Sequence, residues 1–247
     1  MILARITRAV RAHNWFAVAL EFVFVIAGVV IGFQVTAWNG ERGERESEAN
    51  HLAYLAQDLN ADIEELTYIE EMALRRLSTL DAVIVEATGA PTRLIFDMPG
   101  FQVRFQPASA LENPAECSLI YAATTMSTLD GSRHAYNTLI NTGDVQLLSN
   151  TGHVRAIQDY YVNVDEVRDT ELIVMRFRDD MWRSMHRLGV SRQDCLSLAQ
   201  FSGIVADDPQ LLAEIRDFWD LTQQQRNRVV SLRDHAQTVL ELLGQTP

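Results

Sequence analysis

From Phe16 to Trp38 the chain reads FAVALEFVFVIAGVVIGFQVTAW, an apolar run whose one ionisable residue is Glu21. As a helix it would extend roughly 34 Å, about the thickness of a bilayer's hydrocarbon core. Core helices of soluble proteins rarely stay apolar this long. They rarely carry tryptophans at both ends and follow a cluster of arginines, so Trp15 and Trp38 read as interfacial anchors of a transmembrane helix. Cleavable signal segments have shorter apolar regions and end in a small-x-small site, whereas this run ends in AWNGERGERE, so it is expected to stay attached. Arg5, Arg8 and Arg11 precede it, and Arg42 and Arg45 follow among Glu41, Glu44 and Glu46, a bias that favours a cytoplasmic amino end. The expected organisation is a basic cytoplasmic segment 1–15, a span 16–38 in a bacterial inner membrane, and a periplasmic domain 39–247.

Within the span, Glu21, Gly28, Gly32 and Asn39 are separated by 7, 4 and 7 residues, which sets all four along one line of a helix. Glycines four apart let a second helix backbone approach closely, and a glutamate at this depth is costly against lipid unless it is paired or protonated. The expected partners are lipid around most of the span and, on this face, another membrane protein or a second copy of the chain. A competing reading has Glu21 snorkel to the nearby interface. Proton conduction would need titratable groups beyond Glu21, which partner subunits would have to supply.

Charge changes sign at the span: residues 1–40 carry three arginines against one acid, and the remaining 207 residues carry a formal −14 of the chain's −12. So acidic a domain would repel nucleic acid, which is excluded as a partner. All positive side chains are arginine, so lysine nucleophiles and Schiff bases are excluded too.

Beyond the span, apolar residues repeat as a heptad stripe. Its a positions are Leu52, Leu59, Leu66, Ala73 and Leu80, and its d positions are Leu55, Asp62, Ile69, Arg76 and Val83. Two polar d residues suit a bundle core better than a dry coiled-coil seam, although a free coiled coil competes. Gly40 and Gly43 are positions where the helix could bend. Residues 88–116 hold four of the six prolines and are expected to form an irregular or hairpin insertion. After it the sequence predicts a helix over SLIYAATTMSTL, a second one carrying Tyr136 and Leu139 and stopped by Gly143, and a short unit at Asp144. A long helix begins at Asn150 and closes at Gly189, a mixed connection SRQDCLSLAQFSGIVADDPQ follows, and a final long helix carries Leu211, Ile215 and Phe218. The fold class is mainly α: a transmembrane helix continuing into an all-helical bundle.

No HExxH, GxSxG, GxGxxG, Walker or CxxCH pattern is present, and the six histidines are scattered, so no enzyme, cofactor or metal site is expected. Asp165, Glu166, Asp169 and Glu171 sit at helical spacing and read as a solvated face. Cys117 and Cys195, both in the exported part, form either one disulfide or two buried thiols. Tyr136, Tyr160 and Tyr161 are candidates for a pocket or an interaction surface.

The segment EFVFVIAGVVIGFQVTAWNGERGERESE resembles the signature of a widespread bacterial family of single-pass membrane proteins of unknown function, with a glutamate-led span ending in Q-x-x-x-W-N. SRHAYNTLINTGDVQLLSNTGHVRAIQDYY is similar to that family's second shared stretch. The likeness attaches to Glu21, Gly28, Gly32, Gln34, Trp38, Asn39, Tyr136, Leu139, Gly143, Leu148, Tyr160 and Tyr161, and this chain departs from the commoner pattern in placing Gly40 after Asn39. The resemblance implies the topology and a helical extracytoplasmic domain, and no reaction. Two functions are therefore expected to compete: an accessory or assembly subunit that binds partner proteins, and a membrane-tethered periplasmic ligand-binding or sensing module.

Overall fold

The computed structural model describes residues 15–90 and 117–244, with side chains from Leu20 onward apart from Glu21. The expected insertion therefore lies outside the described residues except for its first three positions. No strand occurs among the described residues; the order is α1 (Trp15–Thr88), α2 (Leu119–Thr124), α3 (His134–Thr142), a 3-10 turn (Asp144–Leu147), α4 (Thr151–Arg187), α5 (Leu198–Asp207) and α6 (Pro209–Leu242). They form two compact units, one ending at His51 and one beginning at Leu52.

In the first unit α1 runs through Gly40 and Gly43 with no interruption of the helix. Among the described side chains of its apolar stretch none is buried, and Phe33 keeps 72% of its surface. By length and composition this stretch is long and apolar enough to cross a membrane. Left in water, so many aliphatic and aromatic side chains would each forgo roughly 1.5–3 kcal/mol of burial. Gly28 and Gly32 are open as well: a Cβ at either would meet no atom within 4 Å, so nothing in the described chain requires glycine there.

The second unit is a bundle of the rest of α1 with α4 and α6. The heptad positions of α1 point inward, and of the ten only Leu52 is not fully buried. This is a bundle core, not a free coiled coil. Cross-links fix the helix directions: Glu166 with Arg228, Glu171 with Gln225 and Arg187 with Asp208 make α6 antiparallel to α4. Glu70 with Arg226 and Arg76 with Thr222 make it antiparallel to α1. Two apolar clusters result. One gathers Leu55, Leu59 and Leu66 with Tyr160, Val164 and Leu232, and the other gathers Leu77, Leu80 and Val83 with Met181, Phe201 and Phe218.

Local signals explain most of the ends. Gly89 follows α1 at φ 67°, Gly143 follows α3 at φ 79°, and Gly189 follows α4 at φ 77°, the left-handed conformation that glycine adopts without a Cβ penalty. Asn150 caps α4 by accepting from the Gly152 N–H at 2.8 Å. Two expectations need correction. The predicted helix over SLIYAATTMSTL stops at Thr124, because the backbone beyond it is engaged by side chains of α1 and α4 instead of by its own turns. The mixed connection contains α5, which opens with a capping box between Ser197 and Gln200.

Cys117 and Cys195 are bonded, tying the start of α2 to the connection before α5 across 78 residues of sequence. Closing a loop of that length restricts the unfolded chain. Replacing both cysteines by serine should therefore lower stability by about 2–4 kcal/mol in urea denaturation of the full chain in detergent. An unshifted midpoint would show that the bond adds nothing to the fold.

Candidate functional site

Residues 125–133 are neither helix nor strand and lie half-buried along the bundle, with Leu129 buried and Asp130 exposed. Buried backbone N–H groups without partners are costly, so this strap must find acceptors. Four carboxylates supply them. Both oxygens of Glu171, on α4, accept from the Leu129 N–H at 3.1 Å. Glu65, on α1, takes the Asp130 N–H at 2.9 Å and the Gly131 N–H at 3.1 Å. One turn earlier Asp62 accepts from the Ser132 N–H at 2.8 Å, and Asp58 accepts from the Ser132 hydroxyl at 2.6 Å and the Ala135 N–H at 2.9 Å. Four consecutive N–H groups, 129 to 132, thus point at anions, with Gly131 at φ 59° in the turn. Asp58, Asp62 and Glu65 serve together because spacings of three and four put them on one face of α1.

The strap's carbonyls are held from the other side. Arg168 donates to the Leu129 and Asp130 carbonyls, and Arg133 donates to the Tyr161 carbonyl and pairs with Asp165. At the strap's start the Thr125 carbonyl accepts from Arg76 Nη1 at 2.9 Å. Arg76 is 1% exposed, and its other donors reach α6: Nε to Thr222 Oγ1 at 3.0 Å and Nη2 to Gln225 Oε1 at 2.7 Å. The Gln225 amide then donates to Glu171 Oε1 at 3.4 Å. A buried cation and a buried carboxylate are so joined through a neutral glutamine, in a polar layer between the two apolar clusters.

Burial sets the electrostatics. Glu171 is 2% exposed, and desolvation pushes its carboxyl up to about 7 against the lowering effect of the Leu129 N–H. Asp62, 1% exposed, is raised for the same reason, with Glu65 and Asp58 adding like-charge repulsion. Burial lowers the proton affinity of Arg76, with Arg178 acting the same way.

Of the three candidate tyrosines, Tyr160 and Tyr161 are buried and Tyr136 is half-buried. Tyr160 is fully buried and donates to Asp62 Oδ2 at 2.8 Å; burial raises its hydroxyl, and the Asp62 charge raises it further. Tyr161 is buried beside it in a T-shaped contact, and the half-buried Tyr136 stacks on Tyr161 with ring centroids 4.2 Å apart. Two surface grooves lie elsewhere, one at Asn163, Glu166 and Arg228 and one at Asp180, Arg187 and Glu214. Among the described residues no group of three His, Cys, Asp or Glu side chains is arranged to hold a metal ion.

In the first unit, Trp38 and Asn39 are exposed on α1, while the side chains of Glu21 and Trp15 lie outside the described residues. The sequence flagged Asp62 and Arg76 as polar interruptions of the stripe but missed Asp58 and Glu65 as strap ligands. Glu171, expected on a solvated face with Asp165, Glu166 and Asp169, is the one of the four that is buried. The signal was present: Glu171 stands two heptads after Ile157 and one after Val164, both buried.

The chain matches no protein-family model, no curated protein and no solved structure in comparisons with known proteins.

Arg76→Ala should cost about 3–5 kcal/mol, because it strands buried acceptors on α6 and the strap and leaves Glu171 without the nearby positive charge. Arg76→Lys should recover only part of this, since an ammonium cannot reach three acceptors in a planar fork. Urea denaturation of both variants checks it; equal stability for wild type and Arg76→Ala would refute the role of the layer.

Proposed function

We propose that this chain is a single-pass inner-membrane accessory or assembly subunit, with its amino end in the cytoplasm and its helical bundle in the periplasm. It binds partner proteins through the bundle and through the face of α1 marked by Glu21, Gly28, Gly32 and Asn39. The observation that carries this reading is the apolar stretch of α1, none of whose described side chains is buried, in a chain whose helical bundle has a filled core of its own. A disulfide between Cys117 and Cys195 fits an oxidising compartment. The openness of Gly28 and Gly32 fits a close-approaching partner helix, from another membrane protein or a second copy. The resemblance of the span to single-pass bacterial proteins points the same way. The competing idea of a tethered ligand-binding or sensing module has less support, because two of the three tyrosines that would line its pocket, Tyr160 and Tyr161, are buried in the core. An accessory role calls for no cofactor and no reaction.

Fusing at Pro247 a phosphatase that is active only in the periplasm should give activity, and a fluorescent protein that matures only in the cytoplasm should stay dark there. The reverse pattern would overturn the topology. Gly28→Leu with Gly32→Leu should change the oligomeric state or the set of proteins retained in gentle detergent, read by native mass spectrometry. An assembly identical to wild type would sink the partner-helix proposal while leaving the topology standing.

A further inference from the structure

Glu171 is a buried carboxylate that no cation touches. Its donors are one backbone N–H, shared by both oxygens, and the side-chain amide of Gln225, all neutral. The charged groups around it come from more than one element. On α1 they are Glu65 and Arg76, and on α4 Arg168. From α6 the facing group is the uncharged Gln225, since Arg226 and Arg228 are turned to Glu70 and Glu166. Arg76 directs its three donors to Thr222, Thr125 and Gln225, and Arg168 directs its own to strap carbonyls. Neither guanidinium is a hydrogen-bond partner of Glu171, and Glu65 repels it. A charge so placed bears most of the cost of leaving water.

What keeps water away is the strap, because Leu129, also buried, presents its N–H to the carboxylate. If residues 125–133 lift, Glu171 regains water. We propose that Glu171 is a proton-operated latch on this strap: with a proton on it the strap is held against the bundle, and when the proton leaves the strap loosens.

The direction follows from linkage. A carboxyl that binds its proton more tightly in the closed form than in the open, hydrated form makes protonation favour closure. Its ordinary value is 4.5, and in the closed strap burial raises it to about 7. Closure is therefore strongest below the lower value and weakens as pH rises through the upper one. One oxygen of the protonated acid still accepts from Leu129, so the contact survives while the buried charge does not. Asp62 acts in the same direction, being buried under Ser132 and Tyr160 with Asp58 and Glu65 as like-charged neighbours.

This differs from ordinary acid behaviour, in which paired carboxylates lose stabilising bonds as they protonate. Here mild acid tightens a local structure. The inference does not depend on the membrane reading, since all of its groups lie within the bundle.

Hydrogen exchange read by mass spectrometry on the full chain in detergent tests it, over pH 5.5 to 8.5 and corrected for intrinsic exchange rates. Peptides over 126–135 should lose protection by at least about tenfold as pH rises, since each unit of proton-affinity difference is worth a factor of ten. Buried α6 peptides around Val229 serve as the reference and should not follow. Glu171→Gln, which mimics the neutral acid, should hold the strap at the wild-type low-pH level across the range. Strap protection in the wild type that is flat or rises with pH would overturn the latch, as would an unchanged slope in Glu171→Gln. Should that variant fail to fold, carbon NMR titration of the Glu171 carboxyl in the wild type decides: a midpoint near the ordinary glutamate value refutes the proposal, and one well above it supports it.

Discussion

A run of backbone that is neither helix nor strand cannot be packed half-buried against a helical bundle at low cost unless something accepts its N–H groups. In this chain that burden falls on four carboxylates, Asp58, Asp62, Glu65 and Glu171, which between them take the N–H groups of residues 129 to 132 and 135. A buried donor left without an acceptor costs about 1–3 kcal/mol. The strap can then leave helical geometry at Thr124 and resume it at His134 with its polar groups satisfied. Tyr160 and Tyr161 complete the arrangement by packing over Asp62 and Ser132, with the Tyr161 hydroxyl donating to the Ser132 carbonyl at 3.3 Å.

The clamp also explains why a polar layer divides the core. Apolar clusters are non-directional and define the register of antiparallel helices less sharply than directed hydrogen bonds do. Arg76 supplies such bonds. Its guanidinium donates in three directions, to Thr222 and Gln225 on α6 and to the Thr125 carbonyl, and a seven-residue slip of α6 would leave the two donors that reach α6 unmatched. A second constraint lies a turn and a half away, where Glu70 pairs with both Arg226 and Arg233. Stability per se would be served as well by apolar side chains at position 76, so register is the better account of why a buried charge is kept there.

What the sequence revealed follows from how far each signal reaches along the chain. The apolar run of α1, its heptad stripe and the stops at Gly143 and Gly189 are local patterns, and all were readable. So was the oddity of Asp62 and Arg76, because a polar residue on an apolar stripe is visible without knowing its partners. Their roles were not, since Asp62 meets Ser132 across 70 residues and Arg76 meets Gln225 across 149. Helix α5 was missed for a different reason: Ser197 and Gln200 spell a capping box, but the mixed composition around them masked ten helical residues. Glu171 reads as solvated from its acidic neighbours, and only the phase of the apolar residues on either side places it inward.

That contrast bears on how polar residues in such a bundle should be weighed. Asp165, Glu166 and Asp169 are exposed, and Glu171 is buried, although all four sit within two turns of one helix. Phase alone separates them, since a heptad counted from Ile157 and Val164 lands on 171. The same count along α1 from Leu55 lands on Asp62 and Arg76. Three ionisable side chains on three core positions are not scattered defects, because each is matched to the same non-helical stretch: Asp62 and Glu171 to its N–H groups, Arg76 to its first carbonyl. An apolar residue at any one of them would leave a strap group unpaired. The polar core positions and the strap are therefore a single feature: the bundle keeps ionisable side chains at these core positions because a non-helical segment packed against them needs their donors and acceptors.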